Sequence, residues 1–255
     1  MGQANNSVTT RALTAEMPQY SFKANAGKSL EAIVGGTTYL RLPIKTRLIT
    51  EHDDLMEVLE LYVRPHIQTG DFLFISEKVV AMTQGRILPY RTIKVGWLAR
   101  LLSRRVQNKI HTKDFRGFGH GTAMAMQLLI EEAGYPRAIF AAAVAALTRP
   151  LGIHGAFYYL VGKLAKSVDC PMSFSLYPYI HYAKLAPLKP WKVAAEVRDR
   201  FGTDVAIVDA NYRGSFTLGI AGYSITEKFT QEILKDNPAG QSKEMTPFFI
   251  IRKKT

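Results

Sequence analysis

The chain has 255 residues, 47% of them hydrophobic, and 33 basic against 21 acidic side chains give it a formal net charge of +12. That composition suffices for a substantial core and excludes a disordered or histone-like protein. A single cysteine, Cys170, excludes an internal disulfide, and the start Met1-Gly2-Gln3-Ala4-Asn5-Asn6 shows no basic region leading into an apolar stretch, so the expectation is a cytoplasmic protein.

Residues 1–36 are polar and irregular, and Gly35-Gly36 closes them like a turn, which predicts a flexible N-terminal tail. A single folded domain is expected over residues 37–255. It opens with the alternating strand Thr37–Leu42, followed by a helix from Leu55 to Val63 capped by Asp53-Asp54. Phe72-Leu73-Phe74-Ile75 is apolar on both faces, as a central strand is, and it leads into the polar string Ser76 to Arg86 at one end of the sheet. Val95, Leu98, Ala99, Leu102 and Val106 share one helical stripe, with Arg100, Arg104 and Arg105 off it. This stripe reads either as a surface helix packed on the core or as a membrane-surface attachment through residues 95–110.

A helix from Thr122 to Ala133 follows. The run 138–148 falls far short of the roughly 20 residues that span a bilayer and predicts a buried helix or hairpin. Pro190 opens a helix, Trp191 to Phe201, that Gly202 ends, and a strand then carries Asp209. The last strand runs from Phe248 to Ile251. These elements predict an α+β, or mixed α/β, fold with mixed β-sheets and flanking helices.

Between Arg86 and Arg116 nine basic residues face one acid, Asp114, which points to anionic partners. In Arg116-Gly117-Phe118-Gly119-His120-Gly121 alternate glycines precede a helix start, so Gly117, Gly119 and Gly121 form either an anion-binding loop or a connector. Asn25-Ala26-Gly27-Lys28-Ser29 lacks the first glycine of a phosphate-binding loop, and the six histidines show no zinc-ligand spacing. Cys170 beside Asp169 reads as a small buried residue rather than a nucleophile, because a neighbouring carboxylate disfavours the thiolate. Asp169 and Asp209, forty positions apart, are a hard-oxygen pair suited to magnesium or manganese, although Asp209 equally suits a cap on the turn toward Gly214.

The strings Ile75-Ser76-Glu77-Lys78-Val79-Val80-Ala81-Met82-Thr83-Gln84-Gly85-Arg86, Val168-Asp169 and Ala206-Ile207-Val208-Asp209-Ala210-Asn211, in this order, resemble the successive motifs of the gamma-glutamyl ligases that act on the deazaflavin coenzyme F-420. The closing string Lys235 to Pro247 is similar to that of a divergent bacterial branch. The resemblance implies a ligase that consumes GTP, through an acyl phosphate, to join a glutamate amine to a small anionic carboxylate substrate. It implies Mg2+ or Mn2+ held by Asp169, Asp209 and Glu244, and potassium as a further ion. Lys78 and Arg86 would hold phosphate or carboxylate groups, with Gln84, Gly85, Asn211 and Gln241 near the nucleotide or substrate. A homodimer is expected, with the aromatic stretch Tyr177 to Tyr182 serving either its interface or the core, and nucleic acid is not expected as a partner. The chain departs from the ligase pattern at Ala210, where threonine is usual, at Met172-Ser173, and in a shortened stretch after Gly222; the segment 91–160 resembles a branch-specific elaboration. The alternative is a non-catalytic protein that retains the fold and binds an anion, membrane or nucleic acid through residues 86–116.

Overall fold

A computed structural model describes residues 22–105, 121–172, 176–211, 214–240 and 243–254. Its centre is β3 (Phe72–Ser76), whose alternation sends Leu73 and Ile75 to one face of a sheet and Phe74 to the other. Burial on both faces requires cover on both, and the helices supply it. α1 (Leu55–Tyr62), α2 (Glu77–Thr83) and α8 (Pro190–Phe201) cover the first face with Leu59, Val80 and Val197, while α9 (Glu227–Ile233) covers the second with Ile233.

The sheet has six strands. Beside β3 lie β8 (Phe248–Lys253), antiparallel, and β6 (Asp204–Asn211), parallel; β2 (Thr37–Ile44) and β1 (Glu31–Val34) extend it past β8, and β7 (Gly214–Ala221) past β6. The mixed α/β architecture matches the expected class. Within the stretch expected as a tail, β1 forms an edge strand, tied down because the buried Arg41 guanidinium donates to the Ser29 and Ile233 carbonyls at 2.6 and 3.0 Å and pairs with Asp236.

Local chemistry fixes the element ends. Asp54 accepts from the Glu57 N–H at 3.0 Å and starts α1, while the other acid of that pair, Asp53, binds Arg47 and the Thr50 N–H instead. Residues 77–83, unassigned from sequence, are helical, and Gly85 at φ +66° ends α2 with its N–H on the Met82 carbonyl and that of Arg86 on the Ala81 carbonyl. Pro190 and Gly202 bound α8 as expected.

A second helical layer follows: α3 (Trp97–Ser103), α4 (Ala123–Ala133), α5 (Tyr135–Thr148), α6 (Ala156–Val161) and α7 (Lys163–Lys166), around Leu98, Met126, Leu129, Ala138 and Val161. Arg100, Arg104 and Arg105 stay exposed off this core; Val106 lies outside the described residues. The expectation of a buried run at 138–148 fails in part. The helix forms, but only Ala138 and Ala141 of α5 are buried, because α4 and α6 cover one narrow face. No helix among the described residues is long and apolar enough to cross a membrane. A short sheet of β4 (Ile87–Pro89) and β5 (Tyr182–Lys184) joins the layers.

At Gly219 on β7 an added Cβ would lie 2.6 Å from the Pro190 carbonyl carbon and 2.7 Å from the Trp191 nitrogen, so α8 starts directly against the strand backbone. Gly219→Ala is expected to lower unfolding free energy by about 1–3 kcal/mol, since backbone cannot yield as a side chain does. Urea unfolding measures this, and an unchanged midpoint would refute the close contact.

Candidate active site

Parallel pairing sets Ser76 opposite Val208, so the C-terminal ends of β3 and β6 lie side by side. The chain leaves β3 directly into α2, which puts Glu77 and Lys78 at this end, and Asp209 follows Val208 on the adjacent strand. Asp209 lies within the strand, as expected, paired with Phe216 of β7 after an irregularity at Ile207/Val208. The segment before β8 arrives at the same end, where the Pro247 carbonyl accepts from the Ser76 N–H at 2.8 Å.

The other half of the site comes from the small sheet. Asp169 and Lys184 exchange both backbone hydrogen bonds, at 3.0 and 2.8 Å, as an isolated antiparallel bridge. Lys184 is 0% exposed. Its Nζ donates to both carboxylate oxygens of Glu77 at 2.6 and 2.7 Å and to the Ser167 carbonyl, which uses all three ammonium donors. Asp169 Oδ2 lies 4.0 Å from that ammonium and 3.7 Å from Lys78 Nζ, and its side chain is 46% exposed. A buried ion pair therefore backs an open carboxylate.

Burial pushes the Glu77 carboxyl up to about 8 against the pull of Lys184, and Asp209 and Asp169 push it in the same upward direction. Burial also opposes the Lys184 charge, yet the attraction of Glu77, Asp169 and Asp209 outweighs it and raises that pKa. Three carboxylates thus share two lysines, one negative charge in excess when all are ionised. Either a proton on Glu77 or a hard cation beside the aspartates relieves the excess. Among the described residues no group of three His, Cys, Asp or Glu side chains is arranged to hold a metal ion.

The remaining sequence candidates divide. Arg86 is not open to a ligand: its guanidinium donates to the Ala186 carbonyl at 3.0 Å and pairs with Glu132 of α4, coupling the helical layer to α2. Gln84 clamps the backbone of Leu188, donating to its carbonyl at 3.0 Å and accepting from its N–H at 2.6 Å. Gly85 serves the helix end described above. Gly121 directly precedes Thr122, which caps α4 by accepting from the Ala125 N–H. Glu244 is folded against Gly240, in the segment that leads into β8. Gly117, Gly119, Gln241 and the Asn211 side chain lie outside what is described. Cys170 is buried with its thiol pushed up to about 11 by burial and then by Asp169, in keeping with a packing role. Tyr179 of the aromatic stretch is buried while Tyr177 is exposed.

Sequence reasoning passed over Glu77 as a site residue and Lys184 altogether. A lysine between Ala183 and Leu185 in a strand pattern was the one available sign of Lys184.

Residues 43–152 match the protein family described as F420-0:Gamma-glutamyl ligase. The match contains Lys78 and Arg86 and most of the segment 91–160, and it ends before Asp169. A comparison with curated proteins found no match.

Lys184→Met leaves Glu77 buried without its partner and is expected to cost about 3–5 kcal/mol, with part of the loss recovered when Glu77→Gln is added. Glu77 has a folded pKa raised above 4.5 to about 8, so its contribution is fully present below the lower value and lost as pH rises through the upper one. Chemical unfolding across that window should show the wild type losing stability relative to Glu77→Gln as pH increases. A pH-independent difference would refute the assignment.

Proposed function

On the premise of the family match over residues 43–152, we propose that the protein is a cytoplasmic gamma-glutamyl ligase that uses GTP and a divalent metal to form an amide between glutamate and a coenzyme F-420-type carboxylate. The observation that carries this reading is the meeting of Asp169, Asp209 and Lys78 beside the buried Glu77–Lys184 pair. An unactivated carboxylate is a poor electrophile and must first become an acyl phosphate, so the site has to hold phosphate oxygens in line with the acceptor. Lys78, 34% exposed, supplies an ammonium for such an oxygen. Asp169 and Asp209 would hold Mg2+ or Mn2+, and their donor set fits it, because Mg2+ usually takes one or two carboxylates and completes its shell with water and phosphate. The bound ion would neutralise charge on the transferring phosphoryl group.

Lys184 has a positioning role. Its ammonium is fully used by Glu77 and Ser167, so it orients Asp169 through the backbone bridge without reaching substrate. Ala210 carries no hydroxyl at the position next to Asp209, which leaves Asp209 as the polar side chain of that strand step.

Incubation with GTP, Mn2+, glutamate and the non-glutamylated coenzyme, followed by mass spectrometry, should reveal a product heavier by one glutamyl residue together with phosphate release. Absence of nucleotide binding by titration calorimetry with either Mg2+ or Mn2+ present would overturn the proposal. Asp209→Asn is expected to weaken metal-dependent nucleotide binding at least about tenfold.

A further inference from the structure

α5 presents an apolar stripe that stays exposed among the described residues. Ile139, Phe140, Ala143 and Leu147 recur at helical spacing and are all exposed, Phe140 by 60% and Leu147 by 75%. The surface continues past the helix into the turn, where Leu151 is 76% and Ile153 54% exposed. Isolated exposed apolar residues are ordinary, but a contiguous stripe on one helix marks a contact surface.

Charge identifies the occupant. From Ala133 to Val168 the sequence has no acid, while Arg137 and Arg149 stand near the two ends of α5. The described helical layer, residues 97–105 and 121–168, carries seven arginines and lysines against Glu131 and Glu132, and Glu132 is taken by Arg86. Lys163 pairs with Glu227 and the Arg137 Nε donates to the Leu160 carbonyl, so two of these cations are engaged, yet basic side chains still outnumber acids around the layer. At 14 residues α5 is about 21 Å long, against about 30 Å of bilayer hydrocarbon, so it lies on a membrane rather than crossing it. A second copy docked through the same face would set two basic helices together, with no acid on α5 to offset their charge.

We propose that α5 and the turn after it form a membrane-contact surface that lies in the headgroup region of an anionic lipid bilayer. This places the contact beyond residues 95–110, and it does not depend on the reaction performed at the aspartates.

The full chain should co-sediment with vesicles of phosphatidylcholine and phosphatidylglycerol, less with phosphatidylcholine alone, and less again in high salt. Phe140→Trp should gain blue-shifted emission beyond that of Trp97 and Trp191, quenched by brominated lipid. Phe140→Ser with Leu147→Ser should lower partitioning at least about tenfold at an unchanged thermal midpoint, since both sites are exposed. Three results would overturn the proposal: no partitioning of the full chain onto the anionic vesicles, undiminished partitioning of the double variant, or self-association in sedimentation that the double variant abolishes, which would assign the face to a second copy.

Discussion

One buried ammonium holds the two sheets in register. Lys184 rises from the small sheet and ends on Glu77 at the tip of the large one, and the same residue fixes Asp169 by its backbone. It is the direct side-chain link between Glu77 on one half of the site and the backbone bridge that holds Asp169 on the other. Apolar packing could join two layers with as much stability, but it would tolerate sliding; three directed donors on two oxygens and a carbonyl do not. The penalty for burying this charge is accepted where the geometry of nearby carboxylates matters, as is common where a strand end carries chemistry.

The helical layer attaches to the same place by a different device. Arg86 follows α2 in sequence and reaches Glu132 of α4, so both supports of the site, Lys184 and Arg86, lie within one short stretch of the fold. Residues that a phosphate-binding motif would leave open are here engaged in bracing. Lys78 and Asp169, close together, and Asp209 on the neighbouring strand remain partly exposed.

Much of this was legible in the sequence wherever a pattern is local. The double-faced apolarity of Phe72–Ile75, the Asp54 cap and the Pro190–Gly202 frame each encode their structure within a few residues. Asp169 and Asp209 were legible as a hard-oxygen pair by residue type, with Asp209 equally suited to a turn cap until the motif order was added, and Asp209 reaches the site because β6 pairs with β3. Lys184 was hidden because a lysine in a strand ordinarily faces water, and only the distant Glu77 turns it inward. The alanine-rich α5 misled for the opposite reason: apolarity signals burial only when a neighbour is present to cover it, and α4 and α6 reach a single face.

The placement of β8 constrains how the molecule is made. It lies in the interior of the sheet, between β2 and β3, yet it follows every other described element in the chain. Until synthesis has passed residue 253, β2 and β3 therefore each keep one hydrogen-bonding edge without its partner, although β1 and β6 can pair with their other edges. β3 and β6 are likewise separated by more than roughly a hundred residues, and such non-local pairing closes slowly. The basic helical layer, whose last helix ends at Lys166, is complete before β6 and β8 are made and is the part best able to fold while the sheet is still open.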